Sequence, residues 1–479
     1  MNIVITSITK TSTIFSVFVL FVGMLNIMIS PSSFIIGEVQ AQKVEKEEEK
    51  EEEEEEEEEK CISYNKSENL ISITCDYADF ADVTKQIEDP SILKSDTPTL
   101  TNNTANTFNV DNNNEKAWLL DAGLKVAENA NLDINSNDVT WLKIIPNKNS
   151  PNAIEVDESL KVNSVKITSW NSQTNDYVYF SDAVKHDELE YKKEIRPYIK
   201  VNTGATGPTI IQNSELAYLG YSCSGCGGVT FNGGENSILK NNNIHHIYKG
   251  FYSKEMKHML IEGNHVYRND KYGIDPHTET HNMTIRNNTV YDNGNSGIIC
   301  SLDCYNIMIE GNEIYNNGNN GTGRGIAFSI NMFDSVARNN YVHHQNIGIG
   351  ISGESHDNEV YDNKVSQNKI GINISEKSSN NKIYNNTIMD SIDGIVVLMG
   401  SSDNTFHNNK MVNSTENGIV NVKGDSGTTI PVLSNTFENN KLINSKVITN
   451  SDTTSTMALN DNDNADKDDG DNQDDKGKN

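Results

Sequence analysis

Asn264-His265-Val266-Tyr267-Arg268-Asn269-Asp270-Lys271-Tyr272-Gly273-Ile274 is answered one period later by Asn288-Thr289-Val290-Tyr291-Asp292-Asn293-Gly294-Asn295-Ser296-Gly297-Ile298. The shared unit, Asn-x-apolar followed by Gly-apolar, recurs along the chain. Its first apolar residue stands at Ile244, Val266, Val290, Ile314, Val342, Val365, Ile388, Met411 and Leu442, and the first eight are 22, 24, 24, 28, 23, 23 and 23 residues apart. The glycine keeps the same step at Gly250, Gly273, Gly297, Gly325, Gly348, Gly371, Gly394 and Gly418. Two independent markers with one period identify a repeat architecture. Helical-hairpin repeats need roughly 34 or more residues, and leucine-rich repeats need several Leu at fixed offsets, which these units lack. The remaining solution is all-β: a single-stranded right-handed parallel β-helix, a solenoid in which inward apolar residues stack and Asn side chains ladder at the bends.

Composition agrees with a narrow core. Only 35% of the 479 residues are hydrophobic, which a quasi-one-dimensional fold tolerates better than a round one. The net charge of -29 gathers at the ends: Lys43 to Lys60 holds 13 Glu against 4 Lys, and Asp452 to Asn479 holds 9 Asp against 3 Lys. No basic stripe exists to bind phosphate, so nucleic acid is not an expected partner. Residues 1–41 read as an export signal, with Lys10 ahead of the apolar run Ile14 to Ile29 and Val39-Gln40-Ala41 at its end; the alternative is an uncleaved membrane anchor. Either implies a secreted or cell-surface protein, expected as a monomer. Residues 42–115 read as an acidic low-complexity linker with a small ordered part, 116–450 as the β-helix domain, and 451–479 as a disordered Asp-rich tail. The cysteines fall in three close couples, Cys61/Cys75, Cys223/Cys226 and Cys300/Cys304, which suggest local bridges.

Aligning the coils on the glycine gives a map of faces, because strand side chains alternate. One position after it lie Phe251, Ile274, Ile298, Ile326, Ile349, Ile372 and Ile395, which face inward. Positions two and four then face outward: Tyr252, Asp275, Ile299, Ala327, Gly350 and Asn373 in one column, and Lys254, His277, Ser301, Ser329, Ser352 and Ser375 in the other. Just before each glycine stand Lys249, Tyr272, Ser296, Arg324 and Ile347. One side of the early coils thus collects Lys, Tyr, Asp, His and Arg, while later coils carry mainly small residues.

A long groove suits an extended polymer such as a polysaccharide. An imidazole beside a carboxylate is a base held in one tautomer, and a neighbouring cation can neutralise an anionic substrate. Those groups fit removal of the proton from a carbon next to a carboxylate, as at C5 of a uronic acid, provided a cation or donor faces the developing charge. Return of a proton from the opposite face gives epimerisation. Breakage of the bond from C4 to oxygen gives β-elimination.

Tyr272-Gly273-Ile274-Asp275-Pro276-His277, with Gly250-Phe251-Tyr252 before it, Ser301 one coil later and Asn213-Ser214-Glu215-Leu216-Ala217-Tyr218-Leu219-Gly220-Tyr221 upstream, resembles the mannuronan (alginate) C5-epimerases. The resemblance covers roughly residues 116 to 450. It implies that His277 is the general base, Asp275 its partner and Tyr272 the second acid/base, and Lys254 falls where some members place a carboxylate-binding lysine. Tyr252, Ser301 and Arg324 are the further expected substrate-binding residues, with Arg324 supplying positive charge from just before Gly325, where related enzymes can carry a histidine. Two positions depart from the family: Thr278 stands where Asp or Glu is usual, and Leu302 where a charge-neutralising Arg is frequent. The expected substrate is an acidic polysaccharide. No cofactor or metal is expected; the Asp-rich end could bind Ca²⁺ only diffusely, since its spacing does not fit an EF-hand loop. The alternatives are a polyuronate lyase and a non-catalytic glycan-binding protein of the cell envelope.

Overall fold

The computed structural model describes residues 60–97, 115–149, 151–180, 195–318, 321–421, 434–449 and 457–459. The expected export signal, the Glu run and all of the Asp-rich tail apart from one short strand lie outside these residues.

Each coil contributes three short strands. The Asn-rich unit supplies two, as in Ile238–Lys240 and Asn243–His245, and the Gly-apolar run supplies the third, Lys249–Lys254. The next coil repeats them as Leu260–Glu262, His265–Tyr267 and Ile274–His277. Equivalent strands pair in parallel without slippage through the Asn unit, Ile244 with Val266 and Val266 with Val290. Fifteen strands, Lys249–Lys254 and Ile274–His277 among them, form the sheet that carries the site. The inward columns are dry: Phe251, Ile274, Ile298, Ile326, Ile349, Ile372 and Ile395 on that sheet, and Val266, Val290, Ile314, Val342, Val365 and Ile388 on another, are all fully buried. The β-helix expected from the repeat is the observed fold.

Two devices fix the coil-to-coil distance. A Cβ on Gly250 would stand 2.4 Å from the Gly273 carbonyl oxygen, and one on Gly273 would stand 2.6 Å from that of Gly297, so the turn closes only without a side chain. Beside it runs an asparagine ladder. Each Nδ2 donates to the Oδ1 of the next coil, from Asn242 through Asn264, Asn288, Asn312, Asn340, Asn363, Asn386 and Asn409 to Asn440, at 2.9 to 3.0 Å. The same amides also bond backbone carbonyls, as Asn288 does to Ile261 at 3.0 Å. Buried amides must find partners, and stacking supplies them coil after coil.

The packed domain starts earlier than residue 116. Ile62–Asn65 and Leu70–Ile73 form a hairpin closed by the Cys61–Cys75 disulfide, and Leu70–Ile73 then adds in parallel to Gly123–Val126. The helix Phe80–Gln86, opened by a capping box at Asp79, buries Phe80 and Val83 in the same core. A solenoid's first coil has an open apolar end, and this non-repeating segment covers it. At the other end, Met457–Leu459 pairs with Thr436–Ile443, inside the stretch expected to be tail. Cys223 and Cys226 are bridged. Cys300 and Cys304 are not: both thiols are buried and free, and the Cys304 thiol donates to the Ser301 carbonyl at 3.1 Å. Cys300 belongs to an inward column and serves as a small apolar residue.

Candidate active site

The strands Lys249–Lys254, Ile274–His277 and Ile298–Ser301 lie side by side, with Tyr252 opposite Asp275, Lys254 opposite His277, and His277 opposite Ser301. Pairing between the last two strands is held at Ile274 with Ile298 and at His277 with Ser301. Pro276 between these points has no N–H to offer the next coil. Directly after His277 the chain turns through two left-handed residues, Thr278 (φ 37°) and Glu279 (φ 55°). Leu302 and Asp303, and Ile330 and Asn331, repeat that turn one and two coils on, so it belongs to the architecture rather than to the chemistry. It fixes the histidine nonetheless: Thr280 Oγ1 donates to the His277 carbonyl at 2.8 Å and lies 3.1 Å from Ser253 Oγ.

Asp275 points away from the core, yet is only 1% exposed. Its Oδ2 meets Lys249 Nζ at 3.4 Å, and its Oδ1 has no hydrogen-bond partner. Burial pushes its pKa up to about 7, against the opposing pull of Lys249. The Lys249 ammonium also sits 4.1 Å from the centre of the Tyr252 ring and 5.8 Å from that of Tyr272, so one cation lies near both rings as well as the carboxylate. Burial, with Asp275 and Cys304 adding to it, holds the Tyr252 phenol protonated, its pKa pushed up to about 12. His277 is half-buried, with its ring 5.5 Å from that of Tyr252 and its Nδ1 2.7 Å from Thr278 Oγ1. Desolvation first, then Lys249 and Lys254, lower its pKa below the ordinary histidine value, so the ring is neutral at neutral pH. In the tautomer suited to a base, Nδ1–H donates to Thr278 Oγ1 and Nε2 keeps its lone pair.

The sequence-predicted residues divide accordingly. His277, Asp275, Tyr252 and Tyr272 gather around Lys249. Asp275 does not bond to His277; the residue that orients the ring is Thr278, at the position where the family usually has an acid. Lys254 stands beside His277 in register, but its ammonium pairs with Glu255 at 3.0 Å on the exposed rim. Ser301 is 5% exposed, and its carbonyl accepts from the Thr278 N–H at 3.0 Å, so it supports the turn. Arg324 does not join the cluster: it starts two coils on and its Nη1 donates to Ser352 Oγ at 2.8 Å, a coil further away. Sequence reasoning gives Lys249 no role. Its one signal is its place just before Gly250, in the column that also holds Tyr272. The corner beyond the 278–279 turn is a cleft of about 360 Å³ whose lining includes Glu235, Glu255, Lys257, Glu279 and His281.

Comparison with known proteins fits this fold. A mannuronan C5-epimerase of Pseudomonas fluorescens is 31% identical over 137 residues, 26% of this chain and 24% of the relative, so the match spans about a quarter of that protein's length. The crystal structure of the periplasmic alginate epimerase AlgG superposes with a TM-score of 0.62 over 78% of this chain and 85% of that one, at 19% identity, and shows the same β-helix. The resemblance to the mannuronan C5-epimerases is borne out by these similarities. The family described as periplasmic copper-binding protein (NosD) matches residues 152–323, 201–395 and 303–429. These overlapping segments run from 152 to 429, 278 of 479 residues, and the chain belongs to the NosD family.

Proposed function

We propose that the protein modifies a uronate-containing polysaccharide outside the cytoplasm by removing the C5 proton, with epimerisation as the outcome. The observation that carries this reading is the neutral His277 imidazole, braced by Thr278 and set beside the Lys249, Tyr252, Tyr272 and Asp275 cluster. The mannuronan epimerase and the alginate epimerase to which the chain is similar support the substrate class.

In this reading His277 Nε2 takes the C5 proton and becomes imidazolium. The C5–H electron pair moves onto the sugar carboxylate, where Lys249 faces the growing charge in a partly desolvated setting. Lys249 thus supplies the cation that Leu302 cannot. Tyr272 then gives its phenolic proton to C5 from the opposite face, and solvent restores both groups. Asp275 acts through Lys249, holding the ammonium in place. The family name includes copper, but among the described residues no group of three or more His, Cys, Asp or Glu side chains converges to hold an ion, so no step runs through a metal.

The test is incubation with polyuronates in D₂O. Deuterium at an inverted C5 supports epimerisation, and unsaturated chain ends seen by ultraviolet absorbance would replace it with elimination. Neither signal on a broad panel of polyuronates would overturn the catalytic reading.

A further inference from the structure

The chain has five arginines, and four meet a carboxylate: Arg196 with Asp270, Arg268 with Asp292, Arg286 with Glu262 and Arg338 with Glu310. Arg324 meets none among the described residues. Its side chain lies flat over the next coil instead. Gly350 leaves room for it, since a Cβ there would stand 3.2 Å from Arg324 Cδ, and Nη1 is tethered to the buried Ser352 hydroxyl at 2.8 Å. A guanidinium has five N–H donors in a planar fork, and only one is used by the described residues. Beyond Ile347, its register partner on the next coil, the columns it reaches across carry small side chains, Ala327 and Gly350 in one and Ser329 and Ser352 in the next. A half-buried, tethered guanidinium on a flat floor, with donors left over, matches a carboxylate.

We infer that Arg324 binds the carboxylate of a second uronate residue in the polymer whose reacting residue lies at His277. This rests on the uronate reading of the His277 site and gives the bound chain a direction. Ser352 lies three coils from His277, through Ser301 and Ser329. At about 4.8 Å per coil that is roughly 14 Å, too far for one sugar ring to reach both groups. The polymer therefore runs along the stack of coils, toward Arg324. The corner beyond the 278–279 turn is less suited to a polyanion, since Glu235, Glu255 and Glu279 outnumber Lys257 there.

The experiment measures binding and turnover separately. In a His277→Ala background, where the ligand is not consumed, calorimetry compares a long mannuronate polymer with a mannuronate dimer. Adding Arg324→Gln should weaken polymer binding about tenfold and dimer binding less than twofold. Gly350→Val, which keeps the charge but pushes the guanidinium off its tether, should reproduce the loss. In the His277 enzyme, Arg324→Gln should raise KM for polymer by a similar factor while moving kcat less than twofold. Polymer Kd and KM within twofold of the parent, or equal losses on polymer and dimer, would overturn the subsite while leaving the catalytic reading intact. Arg324-dependent binding with no deuterium entering C5 in the His277 enzyme would keep the subsite and overturn the catalytic reading. No binding by the parent of any polymer or dimer in a broad panel of polyuronates overturns both.

Discussion

The sheet face that carries Lys249, Tyr272, Asp275 and His277 continues without a break into coils where the same positions hold Ile347, Ile370, Asn373 and Ser375. Beneath both regions the molecule is the same. Ile274 and Ile372 are buried alike, Gly273 and Gly371 press equally on the next coil, and the asparagine ladder runs under both. The fold is specified by the inward columns and the bends. The outward columns are consequently free to vary, and the early coils use that freedom to bury a charged pair, which a plain solenoid has no reason to do.

Removing the proposed base should separate the two regions most sharply. His277→Ala should lower turnover by about 10³-fold, the middle of the range for a positioned general base, with unfolding unchanged within roughly 0.5 kcal/mol. Ser375→Ala, the same column four coils later, should leave turnover within twofold. Deuterium exchange at C5 and chemical denaturation measure both. Persistent exchange in His277→Ala would return the early coils to the status of the late ones.

Lys249→Met comes next. It keeps the aliphatic stem but leaves Asp275 buried without its cation. Loss of one partner from such a pair costs roughly 3 kcal/mol when the remaining group is charged. Lys249 lowers the Asp275 pKa, so without it that pKa rises above about 7 and the carboxyl holds its proton at neutral pH. A folded-state pKa raised above the unfolded value of an acid stabilises the protonated form, and this advantage fades as pH climbs through it. The cost of Lys249→Met should therefore be small at pH 6 and larger at pH 9. Denaturation at the two values checks this, and a pH-independent cost would mean that the pair is not what holds the early face together.

These two residues also show where the sequence was legible. His277 and Asp275 stood out because they broke columns that are otherwise small or apolar, and the register that placed them needs only a period and an alternation. Which cation reaches which acid depends instead on the path of a four-carbon side chain. Lys254 has the right register beside His277 but turns to Glu255, while Lys249, one residue before a glycine, reaches over the next coil to Asp275. The N-terminal cap was hidden for a different reason. Ile62, Ile71 and Phe80 are buried, but they sit in polar surroundings and obey no repeat, so only the open end of the first coil explains them.

If the two regions share one scaffold, equivalent ladder residues should cost the same in each. Asn288 donates to Ile261 and Asn312, and Asn386 to Val360 and Asn409, all within 2.8 to 3.0 Å. Either change to Ala strands buried partners and should destabilise by about 2 kcal/mol. Asn288→Ala and Asn386→Ala should agree within roughly 0.5 kcal/mol by denaturation. A markedly larger loss at Asn288 would show that the charged face strains the scaffold beneath it.

The finest difference between the regions is electrostatic. His277 titrates below the ordinary histidine value because burial, Lys249 and Lys254 all disfavour its imidazolium, in that order. A base works when deprotonated, so kcat/KM should fall as acid carries the pH through that lowered pKa, and should be level at neutral pH. Lys254 is the weakest of the three causes, half exposed and already paired with Glu255. Lys254→Ala removes one like charge from beside the ring, which eases protonation and moves the acid limb to higher pH, toward the ordinary value. The shift should be less than about one unit and should shrink in high salt, because an exposed charge is screened. A limb that moves to lower pH, or a shift indifferent to salt, would mean that Lys254 acts on the substrate rather than on His277.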